Sequence, residues 1–138
     1  MIVLDTNVVS ETLRPAPSKK VLEWMRAEPN VALFTTAITE AELLYGLALL
    51  PEGRRRRALE AAILPILSED FVGRILPFDS AAAREFAEIA ATRRHEGKPI
   101  SEPDARIAAI AKSRGAALAT RDIGGFAGCG LVLIDPWA

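Results

Sequence analysis

Met1-Ile2-Val3-Leu4-Asp5-Thr6-Asn7 decides the fold, because a short apolar run ends abruptly in the carboxylate of Asp5. A strand buried on both faces reads as such a run, and the first acid beyond it falls at the strand's carboxyl end, where open α/β sheets build their sites. Working outward, further runs of strand length at 31–35, 74–77, 117–120 and 131–134 alternate with stretches of helical period at 8–13, 18–27, 37–50, 54–68, 80–96 and 103–113. That alternation predicts a parallel sheet wrapped by helices. The breakers Pro15, Pro17, Pro29, Gly53, Gly97 and Gly115 fall between the periodic stretches. Pro65 lies inside one and is expected to kink or divide it.

Composition limits what such a chain does. With 138 residues, half of them hydrophobic, it is expected to form one compact domain over 1–138 with a real core. Its 17 Lys and Arg stand against 18 Asp and Glu, for a net charge of −1. No global positive field holds a nucleic acid, so any polyanion partner needs local help. Cys129 is the single cysteine and has no partner for an internal disulfide. The first residues follow a strand pattern rather than a basic segment leading into a long apolar one, and the expected location is the reducing cytoplasm. The longest apolar run, 43–50, is broken by Gly46 and falls well short of the roughly 20 residues a membrane span requires.

Three acids share the setting of Asp5. Glu42 lies one turn into the helix after the second strand, Asp104 in the first turn of the sixth helix, and Asp122 just past the fourth strand. If the first strand lies between the second and fourth, these carboxylates converge, while Asp79 and Asp135 fall on the flanks and are set aside. Gathered carboxylates repel, by roughly 4 kcal/mol per close pair at an effective dielectric near 20, so such a cluster calls for a compensating cation. Oxygen-only ligation selects a hard ion, Mg²⁺ or Mn²⁺, and one His with one Cys supplies no zinc pattern. Such ions serve phosphodiester hydrolysis by activating water and neutralising developing charge. Plainer roles stand beside this one. Thr39-x-x-Glu42 and Ser101-x-x-Asp104 fit a helix capping box, Asp5 fits an N-cap, and Asp122 suits a turn.

The motifs Leu4-Asp5-Thr6-Asn7, Thr39-x-x-Glu42-Leu43-x-x-Gly46, Pro103-Asp104-Ala105-x-Ile107-Ala108-Ala109 and Ala119-Thr120-Arg121-Asp122-x-x-x-Phe126, in this order, resemble the PIN-domain ribonucleases, specifically the VapBC-type toxins with their FitB-like branch. The resemblance implies a three-layer α/β/α domain around a parallel sheet of about five strands in the order 3-2-1-4-5. It also implies a toxin of a type II toxin–antitoxin system acting as a metal-dependent endoribonuclease, with Asp5, Glu42, Asp104 and Asp122 as catalytic and metal-binding residues. Thr6, Asn7 and Thr120 match polar positions that orient carboxylates or water. One departure stands out, since many relatives carry Asn at the place of Asp122 and an acid three residues later, where this chain has Gly125.

The resemblance further implies RNA as substrate, a cognate antitoxin, and a homodimer assembled into a larger complex. Two divalent ions would turn the net charge positive and assist RNA approach as well as chemistry. Of the local basic clusters, Arg93, Arg94 and Lys98 precede the Asp104 helix and are expected at the substrate, with His95 part of the same basic surface. The run from Arg54 to Arg57 reads more simply as a solvated helix face. The helix holding Glu42 continues apolar on more than one face, as core or as partner surface. Other classes remain in view: a PIN fold that binds RNA or protein without cutting, or phosphotransfer through an aspartyl phosphate. The latter is disfavoured because Asp5-Thr6-Asn7 lacks the second Asp of a D-x-D motif and Asp79 has no acidic pair or positioned Lys after the fourth strand; a Gly-rich nucleotide cradle is absent too.

Overall fold

The computed structural model describes residues 1–138. Five parallel strands, β1 (Ile2–Leu4), β2 (Leu33–Thr36), β3 (Ile75–Leu76), β4 (Ala117–Ala119) and β5 (Leu133–Ile134), form one sheet in the order β3-β2-β1-β4-β5. This is the expected order, with β1 central between β2 and β4: Val3 pairs with Phe34 on one side and with Leu118 on the other. Around the sheet run α1 (Thr6–Thr12), α2 (Lys19–Ala27), α3 (Ala37–Leu49), α4 (Arg54–Pro65), α5 (Ser80–His95), α6 (Glu102–Ser113) and the short α7 (Ile123–Phe126).

Strand β1 explains the three layers. Successive side chains of a strand point to opposite faces, and both faces are covered here. Val3 joins the core packed under α5 and α6, while Leu4 joins the core packed under α1 to α4. Helix α6 fits because Ala105, Ala108, Ala109 and Ala111 bring it close, with Ile107 and Ile110 filling the space between. Burying one leucine or isoleucine side chain contributes about 2 kcal/mol, so this helix anchors its half of the molecule.

Several boundaries differ from expectation for local reasons. Helix α1 starts at Thr6 rather than Val8 because Asp5, in extended conformation, accepts the Thr6 N–H and caps the helix at once. Val31 lies in a 3₁₀ turn (Asn30–Ala32), and β2 starts two residues later. Helix α4 stops at Pro65, and a single π turn (Ile66–Asp70) follows, so the division expected at Pro65 is present. Helix α7 was absent from the sequence expectation; it fills the segment assigned to a turn and buries Phe126. No helix is long and apolar enough to cross a membrane.

Candidate active site

The carboxyl ends of β1, β2 and β4 meet at one edge of the sheet, and each delivers part of the site. The backbone N–H of Asp5 bonds to the carbonyl of Ala119 on β4 (2.9 Å), which fixes its Cα on the central strand. Its side chain is 4% exposed, yet it accepts only two hydrogen bonds, from the Thr6 N–H (2.7 Å) and from the Thr120 hydroxyl (2.8 Å). Burial dominates its ionisation. Desolvation pushes the carboxyl up from 3.8 to about 6 against the pull of those two bonds, and the neighbouring charges of Asp104 and Glu42 raise it further. Asp104 and Glu42 are thus close enough to act on Asp5. Asp122 is not among the charges acting on Asp5.

Glu42 is exposed on α3, and its capping-box role is excluded by the position of the cap. Thr36, at the end of β2, caps α3 by accepting the Thr39 N–H, which places Glu42 in the second turn with its carboxylate uncommitted to the backbone. What holds it is a chain of hydroxyls. Thr36 donates to Thr39 (3.4 Å), Thr39 meets Thr6 (2.9 Å), and Thr6 donates to Glu42 Oε1 (2.9 Å). Because Thr6 has one hydroxyl proton and gives it to the carboxylate, Thr39 is the donor to Thr6, and all three hydroxyls point toward Glu42. Sequence reasoning identified Thr6, read Thr39 as the start of a capping box with Glu42, and missed Thr36. The signal for Thr36 was the polar pair Thr35-Thr36, both buried, closing an apolar strand.

Asp104 sits half-buried in the first turn of α6, where Ser101 caps the helix by accepting the Asp104 N–H (3.3 Å). The reciprocal bond of a capping box is missing, so the Asp104 carboxylate is free. Thr120, fully buried, ties two acids together: its hydroxyl donates to Asp5 and accepts the N–H of Asp122 (3.0 Å) and the Asn7 amide (3.4 Å). Asn7 also accepts the Arg121 N–H (3.4 Å).

Asp122 is exposed and caps α7 through the Gly125 N–H (3.0 Å). A Cβ at position 125 would fall 2.1 Å from Asp122 Oδ2. The glycine and the aspartate are therefore linked, because this placement of the Asp122 carboxylate requires a residue without a side chain at 125.

The basic residues divide. Arg94 and Lys98 are exposed and form no ion pair, but Arg93 is buried, with its guanidinium donating to the carbonyls of Lys98 (2.7 Å) and Ala127. The expectation of an RNA contact is corrected for Arg93, which ties the end of α5 to the α7 loop instead. Asp79 and Asp135, set aside at the outset, are a helix cap for α5 and an acceptor for the Trp137 N–H.

Asp5, Asp104 and Glu42 present oxygen donors alone, one of them held in a low-dielectric setting that favours charge neutralisation, and this set fits a hard divalent cation. They do not close on a common point: no three Asp, Glu, His or Cys side chains converge as ready-made ligands.

Comparison with known proteins agrees with the topology. The PIN domain family model matches residues 2–127. Over 141 aligned positions the chain is 45% identical to the VapC ribonuclease Y4jK of Sinorhizobium fredii, covering 99% of this chain and 98% of that protein. It is 42% identical to toxin FitB of Neisseria gonorrhoeae, covering 99% of each. Among solved structures, FitAcB from Neisseria gonorrhoeae superposes with a TM-score of 0.91 at 40% identity over 99% of both chains. FitAB bound to an IR36 DNA fragment gives 0.88 at 40% identity, over 100% of this chain and 96% of that one. With a parallel sheet in the order 3-2-1-4-5, acids at its central edge and relatives matched end to end, this chain belongs to the PIN-domain family, in the branch of VapC and FitB.

Proposed function

We propose that this chain is the toxin of a toxin–antitoxin pair and that it hydrolyses RNA phosphodiester bonds as an endoribonuclease, with Mg²⁺ or Mn²⁺ as cofactor. The observation that carries the reading is Asp5, a buried carboxylate pushed up to about 6 by desolvation beside Asp104 and Glu42. A purely capping aspartate gains nothing from such neighbours. A metal ligand does, because a cation converts their repulsion into attraction.

In the proposed mechanism Asp5, Asp104 and Glu42 would hold the ion, with Asp122 at the same edge. The ion, when bound, supplies Lewis-acid stabilisation of the charge that develops on the phosphodiester during in-line displacement. The protein's own work is positioning. Thr120 fixes one oxygen of Asp5, and the Thr6 N–H fixes the other. The donor chain through Thr36, Thr39 and Thr6 orients Glu42. Arg94 and Lys98 supply exposed positive charge for the RNA backbone.

The antitoxin has a natural seat. A groove between α1, α3 and α4 runs from Thr6 and Glu42 over Leu43, Leu47 and Leu59, with Arg55 on its lining. An apolar segment laid there would bring an Arg or Lys within reach of the carboxylates, where its charge replaces that of the metal. Relatives solved as FitAB and VapBC complexes support a partner of this kind. Leu44, Tyr45 and Leu49 remain exposed on α3 and suit the homodimer.

The test uses the full chain purified without a partner and incubated with structured RNA. Cleavage in Mn²⁺ or Mg²⁺ is expected, abolished by EDTA and by Asp5→Asn or Asp104→Asn while the fold is retained. Cutting that survives EDTA, or that either substitution leaves intact, overturns the assignment. RNA binding without cutting under any metal identifies a non-cleaving module.

A further inference from the structure

Arg121 is exposed between Thr120 and Asp122, and none of the ion pairs in the protein involves it. Its backbone is fixed to the site, with the N–H donated to Asn7 Oδ1. Its guanidinium lies over the Trp137 ring in a cation–π contact, with Cζ 5.1 Å from the ring centroid. Trp137 is itself anchored, half-buried against the core under α1 to α4 and with its backbone N–H donated to Asp135 Oδ1 (2.9 Å). A guanidinium drawn to a ring by this contact spends no hydrogen bond on it, so its N–H donors stay free, in the fork that matches two phosphate oxygens. Carboxylates dominate this edge of the sheet, and a polyanion reaching it needs an unpaired cation close by. Burial of Arg93 removes one of the cations that sequence spacing offered.

We infer that Arg121, held over Trp137 at the rim of the acidic edge, grips a backbone phosphate of the RNA strand next to the bond being cut. The inference rests on the proposed nuclease function and adds to it a specific contact. The cation–π pairing lowers the entropy lost when the side chain engages phosphate, since the guanidinium is already ordered. The contact is to the backbone, so it tightens binding to single strands of any sequence.

The test compares the unaltered chain with Arg121→Ala, with Trp137→Leu, and with Arg57→Ala as a control that removes one exposed charge from α4. Fluorescence anisotropy with a short labelled single-stranded RNA in Ca²⁺ gives Kd across a salt series; cleavage in Mn²⁺ gives KM and kcat. Arg121→Ala is expected to raise Kd and KM about tenfold. The slope of log K against log salt should fall by about 0.7, the share of one phosphate contact on a single strand. The Mn²⁺ midpoint and kcat stay within twofold. Trp137→Leu raises Kd about two- to fivefold through loss of the aromatic ring, and Arg57→Ala changes nothing. An unchanged salt slope and Kd for Arg121→Ala overturn the inference even where the unaltered chain cuts RNA. If the unaltered chain fails to cut, the nuclease reading falls, and the anisotropy series still decides for or against the Arg121 contact.

Discussion

Replacing Asp5 by Asn should stabilise the metal-free protein at pH 8 and do far less at pH 5. The folded-state pKa, about 6, lies above the ordinary value of 3.8. A carboxyl raised in this way favours the folded state only while protonated, and that advantage is lost as pH rises through the folded pKa. Two pKa units are worth about 3 kcal/mol, so the ionised side chain costs the folded chain about that much at pH 8 and roughly half as much at pH 5. Asn removes the ionisation and keeps the Thr6 cap, but it gives up the Thr120 bond to a charged acceptor, a loss of about 1–2 kcal/mol. The variant should therefore exceed the parent by about 1–2 kcal/mol at pH 8 and match it near pH 5. Urea unfolding in EDTA at the two pH values measures this directly. The decisive quantity is the change in the variant-minus-parent difference, expected to be about +1.4 kcal/mol on going from pH 5 to pH 8. A difference that is constant or shrinks with rising pH would refute the reasoning and leave Asp5 as a helix cap.

Gly125→Ala should leave the fold intact, because a methyl group there meets only the movable carboxylate of Asp122, but it should drive that carboxylate from its cap. The expected result is unfolding within about 1 kcal/mol of the parent and weaker metal-dependent cleavage; full activity would remove Asp122 from the working set. Arg93→Met should destabilise by about 2 kcal/mol by depriving the Lys98 and Ala127 carbonyls of their donor. Thermal unfolding checks the loss, and RNA affinity measured below the transition should match the parent.

Much of the architecture was legible because the governing signals are local. The run Ile2 to Leu4 is apolar throughout since both faces of β1 are buried, and the acid after it marks the strand's end. Asp5 was readable for the same reason, as the acid placed by a strand end, whereas Glu42 and Asp104 lie in the opening turns of α3 and α6 and were readable from the order of their motifs. The rest depends on partners distant in sequence. Whether Arg93 faces solvent or the Ala127 carbonyl is a matter of how α5 meets a loop 34 residues on. The donor chain onto Glu42 spans α1, β2 and α3, so no window of sequence contains it. Helix α7 escaped notice because Gly124 and Gly125 suggest a turn, whereas the absent side chain at 125 is what admits the Asp122 cap.

The central claim is that the acids at the carboxyl edge of β1 work by holding a divalent ion for RNA cleavage. A Mn²⁺ titration at pH 8, following unfolding temperature and RNA cleavage rate on the same protein, tests it most directly. The account predicts that both rise with one midpoint, that EDTA reverses both, and that Asp104→Asn shifts the two midpoints together. Cleavage that proceeds without metal, or that saturates where no stabilisation is seen, would contradict it.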